Sequence, residues 1–142
     1  MTRYNTEEDD KKNLQLLGLL AAQWRYRPLE FRENSRADYA LVDRDNVVQL
    51  FIECKIRTNP IGQYQSVMIP NEKVVKLRKA AEIFCTPARF VCQWTDRTGW
   101  VDLSKATGEV RKSGRKDRND PNDIKLHLFI PNEQFEEILW GE

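Results

Sequence analysis

From about Thr6 to Trp24 the apolar residues Leu14, Leu17, Ala21 and Trp24, flanked by Leu16 and Leu20, recur at helical spacing. Thr6 with Asp9 three residues on resembles a capping box, and the acidic cluster around them suits the positive end of a helix dipole. An amphipathic helix is therefore expected first, ended by Pro28. Leu29 to Arg32 can form a short strand before the polar Glu33, Asn34, Ser35 and Arg36. A second strand is predicted over about Ala37 to Asp43 and a third over Val47 to Arg57. The third carries Val47, Val48, Leu50, Phe51, Ile52 and Ile56, and apolar character on both faces marks a central strand.

Thr58 to Pro70, with Asn59, Pro60 and Gly62, reads as a loop. A helix should follow, capped by Asn71, buried through Val74, Leu77, Ala81 and Phe84, and stopped by Thr86 and Pro87. Strands over Ala88 to Thr95 and Gly99 to Leu103 are joined by Asp96, Arg97 and Thr98. Between Lys105 and Asp123 there is almost no apolar content, which predicts a mobile charged loop. Leu126 to Ile130 reads as a last strand, and Asn132 as the cap of a short C-terminal helix carrying Phe135, Ile138 and Leu139. The order of elements gives a mixed α/β fold, and no internal repeat is visible.

The second and third strands are separated only by Asp43, Arg44, Asp45 and Asn46, so a tight hairpin centred between Asp45 and Asn46 is expected. That register sets Asp38 across from Glu53, and cross-strand partners share a face. Lys55, two residues beyond Glu53, lies on the same face by strand alternation, while Cys54 points the other way with Ile52 and Ile56. Two carboxylates and an amine on a central hairpin cost several kcal/mol each to bury unless they are paired or hold a metal. Adjacent carboxylates suit a hard divalent cation such as Mg²⁺. The amine can stabilise developing charge on a phosphate or deprotonate an attacking water. Phosphodiester hydrolysis is the chemistry these groups fit.

The rest of the composition narrows the choice. A chain of 142 residues fits one domain, 1–142, and 40% hydrophobic against 32% charged residues is a globular balance. The opening MTRYNTEEDDKK has no secretory character and no apolar run approaches membrane-spanning length, so a cytoplasmic protein without membrane contact is expected. Cys54, Cys85 and Cys92 are far apart without paired-ligand spacing, which argues against disulfides or zinc. With 23 basic and 22 acidic residues the net charge is +1, so any contact with a polyanion is local. The single histidine, His127, is expected at the surface or in a structural role, and Trp24, Trp94, Trp100 and Trp140 in apolar packing.

Asp38, Glu53, Cys54 and Lys55, D-x14-E-C-K with Arg57 following, resemble the signature of the PD-(D/E)xK nuclease superfamily, with Ala37 where that signature has proline. The likeness runs from about Thr6 to Leu103, through IECKIR, SVMIPNEKVVKLRKAAE and ARFVCQW, and looks most like archaeal Holliday junction resolvases and related phage endonucleases. The resemblance implies a restriction-endonuclease-like α/β fold, a central mixed sheet flanked by helices. It implies that Asp38, Glu53 and the backbone carbonyl of Cys54 bind Mg²⁺ or Mn²⁺, that Lys55 is catalytic, and that a first-helix glutamate, Glu8 or else Glu7, completes the site. DNA, including branched or junction DNA, is the implied partner, and a homodimer the implied assembly. Residues from Ser104 onward match nothing in that pattern.

Arg36, Arg57 and Lys73 are placed by sequence near the metal or the entrance to the following helix, where backbone phosphates would lie, and Gln65 could hydrogen-bond substrate or water. Solvated surface explains these four equally well. For Asp38, Glu53 and Lys55 the alternative is an ordinary ion-pair network. For the chain as a whole it is a nuclease-fold module that binds DNA or protein without cutting.

Overall fold

The computed structural model describes residues 7–31, 38–114 and 124–141. The first helix, α1 (Glu7–Trp24), buries Leu16, Leu17, Leu20 and Ala21. The expected stripe is rotated: Leu14 is exposed. α1 stops before Pro28, because Arg25 takes a left-handed conformation and the Tyr26 N–H returns to the Ala21 carbonyl. Pro28 itself lies in strand β1 (Arg27–Glu30), at a sheet edge where its missing N–H is tolerated.

Then come β2 (Tyr39–Val42), β3 (Val48–Ile56), β4 (Ser66–Pro70), α2 (Asn71–Phe84), β5 (Ala88–Gln93), β6 (Thr98–Asp102), β7 (Glu109–Gly114), β8 (Ile124–Pro131) and the two-residue β9 (Glu136–Glu137). Among the described residues the strands form two sheets, in the orders β1-β2-β3-β5-β6-β9 and β4-β8-β7. Only β3 and β5 pair in parallel, joined by the crossover through β4 and α2, so the larger sheet is mixed as expected.

Each face of that sheet is covered. Leu41, Leu50, Ile52, Cys54 and Val91 pack on α1, and Ala40, Phe51, Phe90 and Cys92 pack on α2 and the smaller sheet through Val74, Leu77, Val67, Ile69, Leu128 and Ile130. These fifteen apolar residues, buried on both faces, supply the main driving force for the fold.

Several expectations are corrected. The segment read as a loop, Thr58 to Pro70, contains a 3-10 turn (Ile61–Gln63) and β4, whose Val67 and Ile69 alternate inward. The segment read as mobile contains β7, an edge strand held by backbone pairing to β8, while residues 115–123 lie outside the described ones. In α2, Asn71 is the first helical residue and makes no cap. The buried residues are Val74, Leu77 and Ala80, and Phe84 is exposed. The expected C-terminal helix is a 3-10 turn (Asn132–Gln134) followed by β9, and the Asn132 side chain donates to the Ile61 carbonyl instead of capping a helix. Trp140 is exposed, unlike the buried Trp94. No helix among the described residues is long and apolar enough to cross a membrane.

Candidate active site

The site is built on the β2–β3 hairpin. Asp43 organises its turn: one carboxylate oxygen accepts from the N–H groups of Asp45 and Val47 at 2.9 and 3.0 Å, and the other accepts from the Gln49 amide at 2.8 Å. Asn46 takes the left-handed conformation that the tight reversal requires. The Val47 N–H, ahead of the other bonds, holds the Asp43 carboxyl below its usual range.

The strands close at Val42 opposite Val48, one residue out of the expected register. A bulge between Leu41 and Val42, with Gln49 as the extra residue on β3, restores it, so that Leu41 faces Leu50, Ala40 faces Phe51 and Tyr39 faces Ile52. Continuing by one residue sets Asp38 opposite Glu53. Without the bulge Asp38 would meet Ile52, and the two carboxylates would point to opposite faces.

Alternation along β3 then sorts the side chains. Ile52 and Cys54 enter the α1 core, while Phe51, Glu53 and Lys55 face α2 and β4. The N–H groups of Phe51 and Arg57 bond to carbonyls of the β5 side, Pro87 and Gln93. The peptide groups of the even residues, Cys54 included, therefore face the opposite edge, and β2 pairs with no residue beyond Ile52 there. This directs the Cys54 carbonyl to the side on which Asp38 stands.

Lys73, in the first turn of α2, reaches into this cluster. Its Nζ lies 3.2 Å from Asp38 Oδ2 and 3.0 Å from Glu53 Oε1, so one ammonium is shared by two carboxylates from neighbouring strands. The Glu53 side chain is 14% exposed and that of Asp38 47%. Burial raises the Glu53 carboxyl above its usual range; Lys73 opposes this, and Asp38 adds to it. Burial also works against the Lys73 charge, but the attraction of Glu53 and Asp38 exceeds it and holds that ammonium above its ordinary value. Lys55 Nζ donates to the Met68 carbonyl of β4 at 3.2 Å. Burial, helped by the charge of Arg57, lowers Lys55 from 10.5 to about 8.

Asp38, Glu53, Lys55 and Lys73 are thus brought together, with Arg57 just past the end of β3, where its charge acts on Lys55 and on the Cys92 thiol. Burial pushes that thiol up to about 12. Glu8, on α1, has a side chain that is 79% exposed and lies 3.9 Å from Lys12. Among the described residues no three His, Cys, Asp or Glu side chains are grouped to hold a metal, so the acidic pair is Asp38 and Glu53. The Glu7 side chain and Arg36 lie outside the described residues. Gln65 is exposed, and its backbone carbonyl accepts from the Asn132 N–H.

Sequence reasoning missed Met68, because the alternating Val67 and Ile69 that signal β4 are cut short by Pro70. His127 is buried, not at the surface; burial lowers its pKa, and the charge of Lys55 acts in the same direction.

A pair of carboxylates 3.0 and 3.2 Å from one nitrogen is a donor set fitted to a cation. The arrangement can hold a divalent ion and a phosphate against two amines.

Comparison with known proteins bears on the family and the fold. No curated protein sequence matches the chain. Among solved structures it is similar to Hjc, a Holliday junction resolvase from the archaeal hyperthermophile Archaeoglobus fulgidus, with a TM-score of 0.59 and 12% identity over 93% of each chain. That likeness is one of fold, and it bears out the restriction-endonuclease-like arrangement of a mixed sheet flanked by helices. A family profile described as "Phage putative PDDEXK endonuclease" matches residues 1–138, nearly the whole chain, and the chain belongs to this phage PDDEXK endonuclease family.

Proposed function

We propose that the chain is an Mg²⁺- or Mn²⁺-dependent endonuclease that hydrolyses DNA phosphodiester bonds, with Asp38, Glu53 and the Cys54 carbonyl as metal ligands and Lys55 as the catalytic amine. The observation that carries this reading is the convergence of both carboxylates on one cation position, with a second amine two residues along the same strand. When bound, the divalent ion supplies positive charge to the scissile phosphate and to the attacking water.

The side chains perform the rest. Lys55, lowered to about 8, exchanges its proton near neutral pH and takes one from the water whose oxygen attacks phosphorus. As the new P–O bond forms, the ester oxygen leaves with the bonding pair and is protonated. Arg57 and Lys73 offset the charge that accumulates on the phosphate oxygens. Glu8, itself exposed on α1, is the residue we assign to complete the acidic set, and Arg36 and Gln65 are assigned to the flanking backbone. Branched or junction DNA is the substrate class we favour, because the fold is that of a protein named as a junction resolvase, and a homodimer would present two such sites to the two strands of a junction.

A second reading has its own observation. An ion pair of Lys73 with both carboxylates is also what a non-cutting DNA- or protein-binding module would retain. Cleavage assays with nicked, branched, single-stranded and duplex DNA in Mg²⁺ or Mn²⁺ separate the two. Wild type should cut at least one substrate, and Glu53→Gln should lose about 10³-fold in rate, or about 4 kcal/mol of transition-state stabilisation. A folded wild-type protein that binds DNA but cuts none of the panel would establish the binding module.

A further inference from the structure

Asp38, just ahead of β2, Glu53 on β3 and Lys73 on α2 come from three different parts of the fold, yet they meet at one nitrogen. The carboxylates repel each other, as the contribution of Asp38 to the raised Glu53 shows, and the ammonium offsets that repulsion. A divalent ion held by the same oxygens would sit at roughly 2.0–2.1 Å from each, inside the space that the ammonium takes up. The two cations therefore exclude each other. Lys73 also has somewhere to go, because its side chain is 40% exposed at the N-terminal end of α2.

We propose that Lys73 is the resident counter-ion of the ligand pair: it holds Asp38 and Glu53 together in the metal-free protein, yields its place to the divalent cation, and is thereby released at the rim of the site to take a substrate phosphate. The proposal rests on the metal-dependent reading above and adds a coupling to it. Metal binding to the free protein must break two ion pairs, and it becomes easier when a phosphate is present to receive the freed ammonium. Metal and DNA therefore favour each other's binding, by the same factor in each direction.

Calorimetric titration of Mn²⁺ into the full chain, without DNA, tests this. Lys73→Met should bind Mn²⁺ about tenfold or more tightly than wild type, within the usual range of such couplings, whereas Lys73→Arg, which keeps a competing cation, should stay close to wild type. A lysine that merely buttressed the fold would give the reverse, since its loss would let the ligands splay. Unchanged or weaker binding by Lys73→Met overturns the proposal and leaves the metal-dependent reading standing. Absence of Mn²⁺ binding in wild type and variant alike overturns both.

Should Lys73→Met fold poorly, wild type alone gives the answer through acylation of its lysines read by mass spectrometry. Lys73 should be protected without metal and several-fold more reactive with Ca²⁺ or Mn²⁺, with the exposed Lys79 as internal reference. Equal reactivity with and without the ion overturns the proposal.

Discussion

Lys55→Met should yield a protein that is inactive and yet more stable at pH 7. Lys55 is a half-buried amine whose burial lowers its pKa from 10.5 to about 8. A displacement of that size corresponds to a penalty of about 3 kcal/mol on holding the charged form in the folded state. Methionine has a similar length and no charge, so the substitution removes the penalty. It also removes the hydrogen bond to the Met68 carbonyl, worth about 1 kcal/mol, and a weak attraction to Glu53. The net expectation is a gain of about 1–2 kcal/mol at pH 7, by the same reasoning that makes replacement of buried charges by apolar groups neutral or favourable. The pH dependence has a definite sign. Because the folded pKa lies below the unfolded one, the unfolded chain binds more protons between about 8 and 10.5, and wild-type stability rises with pH through that window. The advantage of the variant is full below pH 8 and disappears by about 10.5. Urea unfolding of both proteins at pH 7 and pH 10, taken as a difference so that other titrations cancel, measures it. A variant destabilised by more than about 1 kcal/mol, or a difference unchanged between the two pH values, would refute the burial argument.

Three further outcomes are expected. Single-turnover cleavage should rise with pH and level off above about 8 as Lys55 loses its proton; a rate that falls across this range would assign the lysine to charge stabilisation rather than to proton abstraction. Arg89 lies between Trp24 and Trp100, its guanidinium 4.7 and 4.0 Å from the two ring centres, so Arg89→Ala should cost about 1 kcal/mol in urea unfolding, with a change in tryptophan fluorescence and no loss of metal binding. A Cβ at Gly108 would overlap the Phe129 carbonyl oxygen, so Gly108→Ala must push the start of β7 from β8 and should lower stability by about 1–3 kcal/mol in thermal melts; an unchanged melting temperature would contradict the close approach of these strands.

How much of this was legible in the sequence depended on whether burial or backbone pairing made the element. β3 is apolar on both faces because core lies on both, so its central position could be read directly. β7 could not, since Val110 is its one large apolar residue and its place is set by backbone pairing to β8. β9 is two residues long and the preceding turn is 3-10, so Phe135 and Ile138 reach the core without the helical spacing they suggest.

The same distinction applies within the site. Asp38, Glu53 and Lys55 are related through a hairpin, so local spacing was enough to bring them together, although the chain reaches the required register only by way of the bulge at Gln49. Lys73 and Met68 belong to the crossover between β3 and β5, and its path is set by packing of Val67, Ile69 and Val74 on the far face of the sheet. Nothing in the spacing of Lys73 from Glu53 specifies a contact, because twenty residues of crossover can end in many places. What specifies it is that α2 starts immediately after β4, leaving no slack, so the first turn of the helix is fixed by the strand that also supplies the carbonyl for Lys55. The carbonyl that holds Lys55 and the helix turn that carries Lys73 thus belong to one continuous stretch, β4 running into α2. A change that shifts β4 should therefore move both together, altering the partner of Lys55 and the counter-ion of the carboxylates at once.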